Sequence, residues 1–263
     1  MRRLSLLLLS AILLFGSGAF SSIAGQDYKS NIPQILADDS LPSGVRKSFA
    51  SIVAVLVYRP NALSGSLDLS AILSGFAVGD RRVLTCFHGT ALGQPSSFYY
   101  LDAANTKILV AYYDGVKQKS LAYQANITAV SPQKDLALLE VLDNDDSKFD
   151  LKPLFVSPLD VGYLVKNSKA GWFCFKYAAE DVVFWKELRN FSGYFTNPNL
   201  SSSPDVRGMF GETLEAGYSG SPVLYGDGRC FGIIVAATPS TIFFIPGWKI
   251  NEFLRESAKA GKK

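Results

Sequence analysis

Few residues in this chain could carry acyl-transfer chemistry, and they lie far apart. His88, in VLTCFHGT (residues 83 to 90), is the only histidine among 263 residues. Ser219 stands between glycines in GYSGSP (Gly217 to Pro222), and Asp135 opens the apolar run DLALLEV. A serine hydroxyl becomes a nucleophile when a base takes its proton and an acid orients that base. A further part, a pair of converging backbone N–H groups, binds the oxyanion and calls for a glycine-rich turn. Each residue also has a plainer reading. GYSGSP reads equally well as a hairpin turn, and Asp135 suits the end of a turn after SPQK. A lone histidine is commonly a half-buried structural residue. The chemical reading gains because His88 is the one base in the chain that ordinarily titrates near neutrality.

The elements that must position these residues read as strands. Runs rich in Val, Ile, Phe and Tyr occupy 51–58, 72–79, 81–88, 106–113, 121–130 and 135–142. A second group occupies 171–177, 181–188, 192–197, 221–226, 229–237 and 241–246. Gly-Asp, Tyr-Asp-Gly and Gly-Asp-Gly separate them, and no helical pattern of 10 to 15 residues intervenes. That spacing predicts an all-β fold of antiparallel sheet rather than βαβ units. A polar break near 143–162 divides the strands six and six, as two β-barrels or sandwiches would require. Helical periodicity is confined to the end, where Ile250, Phe253 and Leu254 fall at i, i+3 and i+4.

The N-terminus has a different character. Arg2 and Arg3 precede the apolar run Leu4 to Phe15, and Ser22-Ile23-Ala24 has the small-x-small pattern of a cleavage site. This predicts a signal peptide over 1–24, cut after Ala24 or Gly25, with export to a secreted or periplasmic location. Twelve apolar residues fall short of the roughly 20 that a bilayer span needs. No stable membrane insertion is therefore expected after cleavage. Loss of Arg2 and Arg3 leaves 24 basic against 23 acidic residues, a net +1, which offers no electrostatic case for nucleic acid. Residues 25–47 read as an irregular lead. Cys86, Cys174 and Cys230 make an odd count, so at least one thiol is unpaired within a monomer. They lack the CxxC-type spacing of a structural zinc site.

Taken together, the three chemical motifs resemble those of the trypsin/chymotrypsin family of serine peptidases. VLTCFHGT is similar to that family's VLTAAH, DLALLEV to its DLALL, and GYSGSP to its G-x-S-G-x-P. The order His, Asp, Ser and the intervals of 47 and 84 residues fit its layout, and the likeness spans roughly residues 48 to 258. The resemblance implies two six-stranded antiparallel β-barrels, about 48–145 and 160–246, followed by a helix over 248–259. It implies His88 as general base, Asp135 as its orienting acid and Ser219 as nucleophile. Backbone N–H groups of Gly217 and Ser219 would form the oxyanion hole, and Val235, Ala236 and Ala237 would line the substrate-pairing edge. The implied substrates are proteins or peptides, and no metal or organic cofactor is implied.

This chain also departs from the family's pattern. The digestive enzymes carry an aspartate before the serine, where this chain has Tyr218, so no zymogen activation of that type is expected. Gly89 replaces the cysteine that often follows the histidine, while Cys86 lies two residues before it. Thr213 falls where trypsin-like enzymes place a pocket aspartate, which implies an uncharged pocket. The resemblance places Cys174 and Cys230 on neighbouring strands, bonded or simply packed. The 41 residues after Pro222 are taken up by strands and helix, so no PDZ domain is expected. A different class of reading is a protease-like binding module or adhesin without turnover. An esterase on the same machinery is equally compatible with these motifs. An α/β-hydrolase is disfavoured because a strand, not a helix, follows the serine.

Overall fold

The computed structural model describes residues 39, 42–61, 63–90, 106–114, 119–143, 148–158, 170–180, 183–195, 207–210, 217–238 and 241–260. The signal peptide expected over 1–24, most of the lead over 25–47, and Thr213 lie outside these residues. The chain is mostly β. A short helix α1 (Ser43–Ser48) and a 3₁₀ turn lead into β1 (Ile52–Pro60), β2 (Leu67–Gly79) and β3 (Arg82–Cys86). One helical turn, α2 (Phe87–Thr90), follows, then β4 (Lys107–Asp114), β5 (Lys119–Ser131), the 3₁₀ turn Pro132–Lys134 and β6 (Leu136–Val141). Later come β7 (Ala170–Glu180), β8 (Val183–Phe195), β9 (Arg207–Phe210), β10 (Pro222–Leu224), β11 (Cys230–Ala237) and β12 (Thr241–Pro246). Helix α3 (Gly247–Ala260) closes the described chain.

The first six strands form a closed antiparallel barrel in the order β1-β2-β3-β6-β5-β4. Its strands are apolar on both faces because both faces are covered, which is why IVAVLV reads as a continuous run rather than an alternation. Val53, Val55 and Val57 meet Val83, Val110, Leu139 and Val141 in one core. There Tyr112 stacks on Tyr123, with Phe149 edge-on to both. From the opposite face of β1, Ile52, Ala54 and Leu56 enter a second core with Phe76, Leu84 and Leu138. That core continues into Leu224, Ile233 and Ile245 of the later strands and into Ile250 and Phe253 of α3. One apolar cluster thus ties the first barrel, the later strands and the C-terminal helix together. The α3 residues that carried the helical periodicity are the ones that enter it.

Among the later strands, β7 pairs with β8 over Ala170↔Gly193 to Glu180↔Val183, and β11 pairs with both β10 and β12. Short ladders join β9 to β8 and to β12. The stretch before them runs against this sheet: Ser157 N–H donates to Cys230 O (2.6 Å), and Asn251 Nδ2 of α3 donates to Val156 O (3.1 Å).

Local departures from the sequence reading have physical causes. The runs expected at 181–188 and 192–197 form a single strand, because pairing with β7 carries the backbone through Ser192-Gly193, which on their own signal a turn. Strand β9 has no expected counterpart, since RGMF shows no alternation and takes its form from its neighbours. The strand reaching His88 ends two residues earlier, and His88 lies in a helical turn. The lead is not irregular throughout. In α1, Val45 is fully buried, and Ser48 Oγ donates to Gly228 O at 2.8 Å, docking the helix on the turn before β11. Among the described residues, no helix is long and apolar enough to cross a membrane.

Candidate active site

The register between β3 and β6 builds the first half of the site. Cys86 pairs with Leu136, so the ladder ends there and the residues just outside it, His88 and Asp135, are left at one rim of the barrel. Asp135 caps the Pro132–Lys134 turn with φ of 52°, in the left-handed region that Asp tolerates better than most residues. Its backbone oxygen accepts from Phe87 N–H (3.2 Å) and its Oδ1 from His88 N–H (2.7 Å). Its Oδ2 lies 2.7 Å from His88 Nδ1. An ionised carboxylate only accepts, so this bond places the imidazole proton on Nδ1 and leaves Nε2 as the free basic nitrogen. The bond to Asp135 raises the His88 pKa above the ordinary histidine value; burial opposes this in part, and the Asp135 charge adds to it. Both side chains keep a face to solvent, 33% and 26% exposed, so the base is reachable.

The second half is the turn carrying Ser219. Ser221 N–H donates to Tyr218 O at 2.8 Å, closing a four-residue turn whose third member, Gly220, has φ of 85°. Glycine is required here for space as well as conformation. A Cβ on Gly220 would lie 1.9 Å from Ser74 O and 2.6 Å from Thr85 Oγ1. The turn is held from both sides. Ser74 of β2 donates its N–H to Ser219 O (2.9 Å) and its hydroxyl to Gly217 O (2.8 Å). Thr85, three residues before His88, donates to Ser74 O at 2.7 Å. From the later sheet, Ile234 O accepts from Gly220 N–H (2.8 Å) and from the Cys86 thiol (3.1 Å). The strand that delivers the histidine thereby touches the turn that delivers the serine.

His88 and Asp135 are in direct contact. Among the described residues no hydrogen bond joins the Ser219 hydroxyl to His88, and the two are related through Ser74, Thr85 and Cys86. The carbonyls of Gly217 and Ser219 are tied back to Ser74, while their N–H groups donate to no partner among the described residues. Val235 is half-buried and Ala236 and Ala237 are exposed. The β10 ladder ends at Pro222↔Ile233, so this end of β11 presents an edge beyond the Ser219 turn. Tyr218, where the digestive enzymes have an acid, is 2% exposed.

The neighbour relation expected for Cys174 and Cys230 is not found. Strand β10 lies between β7 and β11, pairing with Phe173 on one side and Cys230 on the other. Cys230 is a free buried thiol, pushed up to about 12 by burial. Cys86 is also free and buried; burial, aided by the Asp135 charge, raises its thiol well above the usual range. The donor atoms of Cys86, His88 and Asp135 lie within 4.8 Å of one another, a grouping able to ligate a metal ion. Ser74, Thr85 and Cys86 were not singled out as positioning residues from sequence. The only signal was a hydroxyl or thiol in an otherwise apolar strand, which does not name its partner.

A family model of the trypsin-like peptidase domain matches residues 73–233, more than half of the chain. The chain belongs to this family. Search of curated proteins gives no match. Among solved structures, the crystal structure of Deg5 superposes with a TM-score of 0.54 at 18% identity, covering 81% of this chain and 89% of that one. The active form of the Rv3671c protease from M. tuberculosis also superposes with a TM-score of 0.54, at 17% identity, covering 81% and 83%. At such identities these likenesses concern the fold of the trypsin-like peptidase domain. Membership of a peptidase family supports a protease and implies peptide substrates.

Proposed function

We propose that this trypsin-like peptidase domain is an exported serine endopeptidase acting through Ser219, His88 and Asp135. The observation that carries the reading is the 2.7 Å bond between His88 Nδ1 and Asp135 Oδ2, beside a rigid glycine turn that bears a serine. In this mechanism His88 Nε2 takes the Ser219 proton as Oγ adds to the scissile carbonyl. Asp135 favours the imidazolium so formed. The N–H groups of Gly217 and Ser219 donate to the oxyanion, each bond worth roughly 3 kcal/mol in the transition state. His88 then protonates the leaving amine, and a water activated by the same nitrogen hydrolyses the acyl-enzyme. The missing Ser219–His88 hydrogen bond is compatible with this sequence, because such bonds commonly tighten only when substrate binds.

Substrate would lie antiparallel along Val235, Ala236 and Ala237, adding a strand to the free end of β11. The pocket would be uncharged, with Thr213 near its base. The later strands would close as a second six-stranded barrel, with the peptidase domain spanning 48–263 and residues 1–24 removed on export. N-terminal sequencing of the exported protein checks the last point, with a start after Ala24 or Gly25 expected. The catalytic claim is tested by a fluorophosphonate on folded protein. Stoichiometric labelling that is lost in Ser219→Ala and His88→Ala supports it. Absence of labelling replaces it with a protease-like binding module or adhesin on the same scaffold.

A further inference from the structure

The proposed mechanism leaves Cys86 without a chemical role, although its sulfur lies at the floor of the site. The Sγ atom, a His88 ring nitrogen and an Asp135 carboxylate oxygen all lie within 4.8 Å of one another. The sulfur is fully buried, whereas His88 and Asp135 are each partly open to solvent, so an ion can enter past them. Thiolate, imidazole and carboxylate together form a donor set suited to zinc-like ions, with the sulfur favouring the softer members of that class. We propose that Cys86, His88 and Asp135 form a binding site for a soft divalent cation of the zinc–cadmium type, and that occupancy switches the peptidase off. The switching rests on the serine-peptidase reading above; the binding does not.

The geometry asks for small movements. Ligand atoms on one tetrahedral zinc, at about 2.0–2.3 Å from it, sit roughly 3.3–3.8 Å apart. His88 Nδ1 and Asp135 Oδ2, now 2.7 Å apart, must therefore part by about 0.6 Å as the ion displaces their shared proton, while the sulfur, within 4.8 Å of both residues, draws in by about 1 Å from that outer limit. The proton balance explains the loss of activity. The cation takes Nδ1 in place of its proton, and that proton moves to Nε2, so the ring stays neutral. The thiol proton leaves to solvent, and the carboxylate is already ionised. One proton is released per ion, and the site changes from one negative charge to an uncharged complex, with no change of oxidation state. Nε2 then carries hydrogen and cannot accept the Ser219 proton, although Ser219 itself is untouched.

The first test uses the full mature chain carrying Ser219→Ala, so that its readout is independent of peptidase activity. Titration with Cd²⁺ is followed by the ultraviolet charge-transfer absorption of a cadmium–thiolate bond. One ion per chain is expected, with the absorption lost in Cys86→Ser and retained in Cys230→Ala and Cys174→Ala. Cys86→Ser keeps a donor to Ile234 O and so guards against a folding artefact. Apparent affinity should also fall at least about tenfold in His88→Ala, the scale on which weaker changes around metal sites act. In the wild type, Cd²⁺ and Zn²⁺ should slow fluorophosphonate labelling reversibly, and Cys86→Ser should label at the same rate with or without the ion. Equal cadmium absorption in the Cys86→Ser protein, or none in the parent, overturns the site. A wild type that never labels, even without ions, removes the peptidase reading while the absorption still decides the binding.

Discussion

Replacing Gly220 by alanine tests whether the Ser219 turn is held by the first barrel. The added Cβ would stand 1.9 Å from Ser74 O and 2.6 Å from Thr85 Oγ1, whereas real contacts of this kind stay beyond 3.0 Å. The turn must therefore retreat by about 1 Å. Retreat breaks or stretches the bonds Ser74 N–H to Ser219 O and Gly220 N–H to Ile234 O, each about 1 kcal/mol net. A residue with a Cβ at φ of 85° adds about 1 kcal/mol of backbone strain. The sum is a loss of about 3 kcal/mol in stability, read as a lower urea midpoint. Displacement of a nucleophile by about 1 Å costs on the order of 10²-fold in rate, so fluorophosphonate labelling should slow to that extent in protein that is still folded. A Gly220→Ala protein with unchanged midpoint and unchanged labelling would refute the idea that this glycine is needed for close approach to β2.

Four further outcomes follow from the structure. Because His88 is the only histidine, its imidazole resonances are unambiguous by NMR; it should titrate above the ordinary value of about 6.5, and below its wild-type value in Asp135→Asn. Its folded-state pKa is raised, so the associated stability is complete below the unfolded value and is lost as pH rises through the folded one. Asp135→Asn should also lower the labelling rate by about 10⁴-fold through the wrong tautomer, and a near wild-type rate would remove Asp135 from the mechanism. Ser48→Ala should cost about 1 kcal/mol by freeing Gly228 O from α1, with labelling unchanged. Lys134 bridges Glu252 and Glu256 of α3 from the turn before Asp135. Lys134→Ala should lower the melting temperature slightly, by less in high salt, and an effect that grows with salt would contradict an ion pair.

Much of this architecture is written locally, in residues that act on their nearest neighbours. Runs such as IVAVLV and RVLTC carry strand propensity in β-branched side chains, and Ile250, Phe253 and Leu254 mark the helical face that meets the core. Glycines flank Ser219 because the turn they make is a property of four consecutive residues. The three chemical motifs are local in the same sense, and their order along the chain points to one family. Contacts between distant segments are a different matter, since no local pattern encodes a partner. Ser74 is a polar residue within an apolar run, and only the fold brings its N–H and hydroxyl to Ser219 O and Gly217 O, more than 140 residues away. Nothing in the sequence around Cys86 names its neighbours, and the same packing sets its sulfur beside His88, Asp135 and Ile234 O. Cys174 and Cys230 were expected side by side, and pairing order alone put β10 between them. The motifs alone carried which residues could do chemistry. Which residues hold them there was decided by strand register and barrel closure, because those are set by the summed burial of the whole chain.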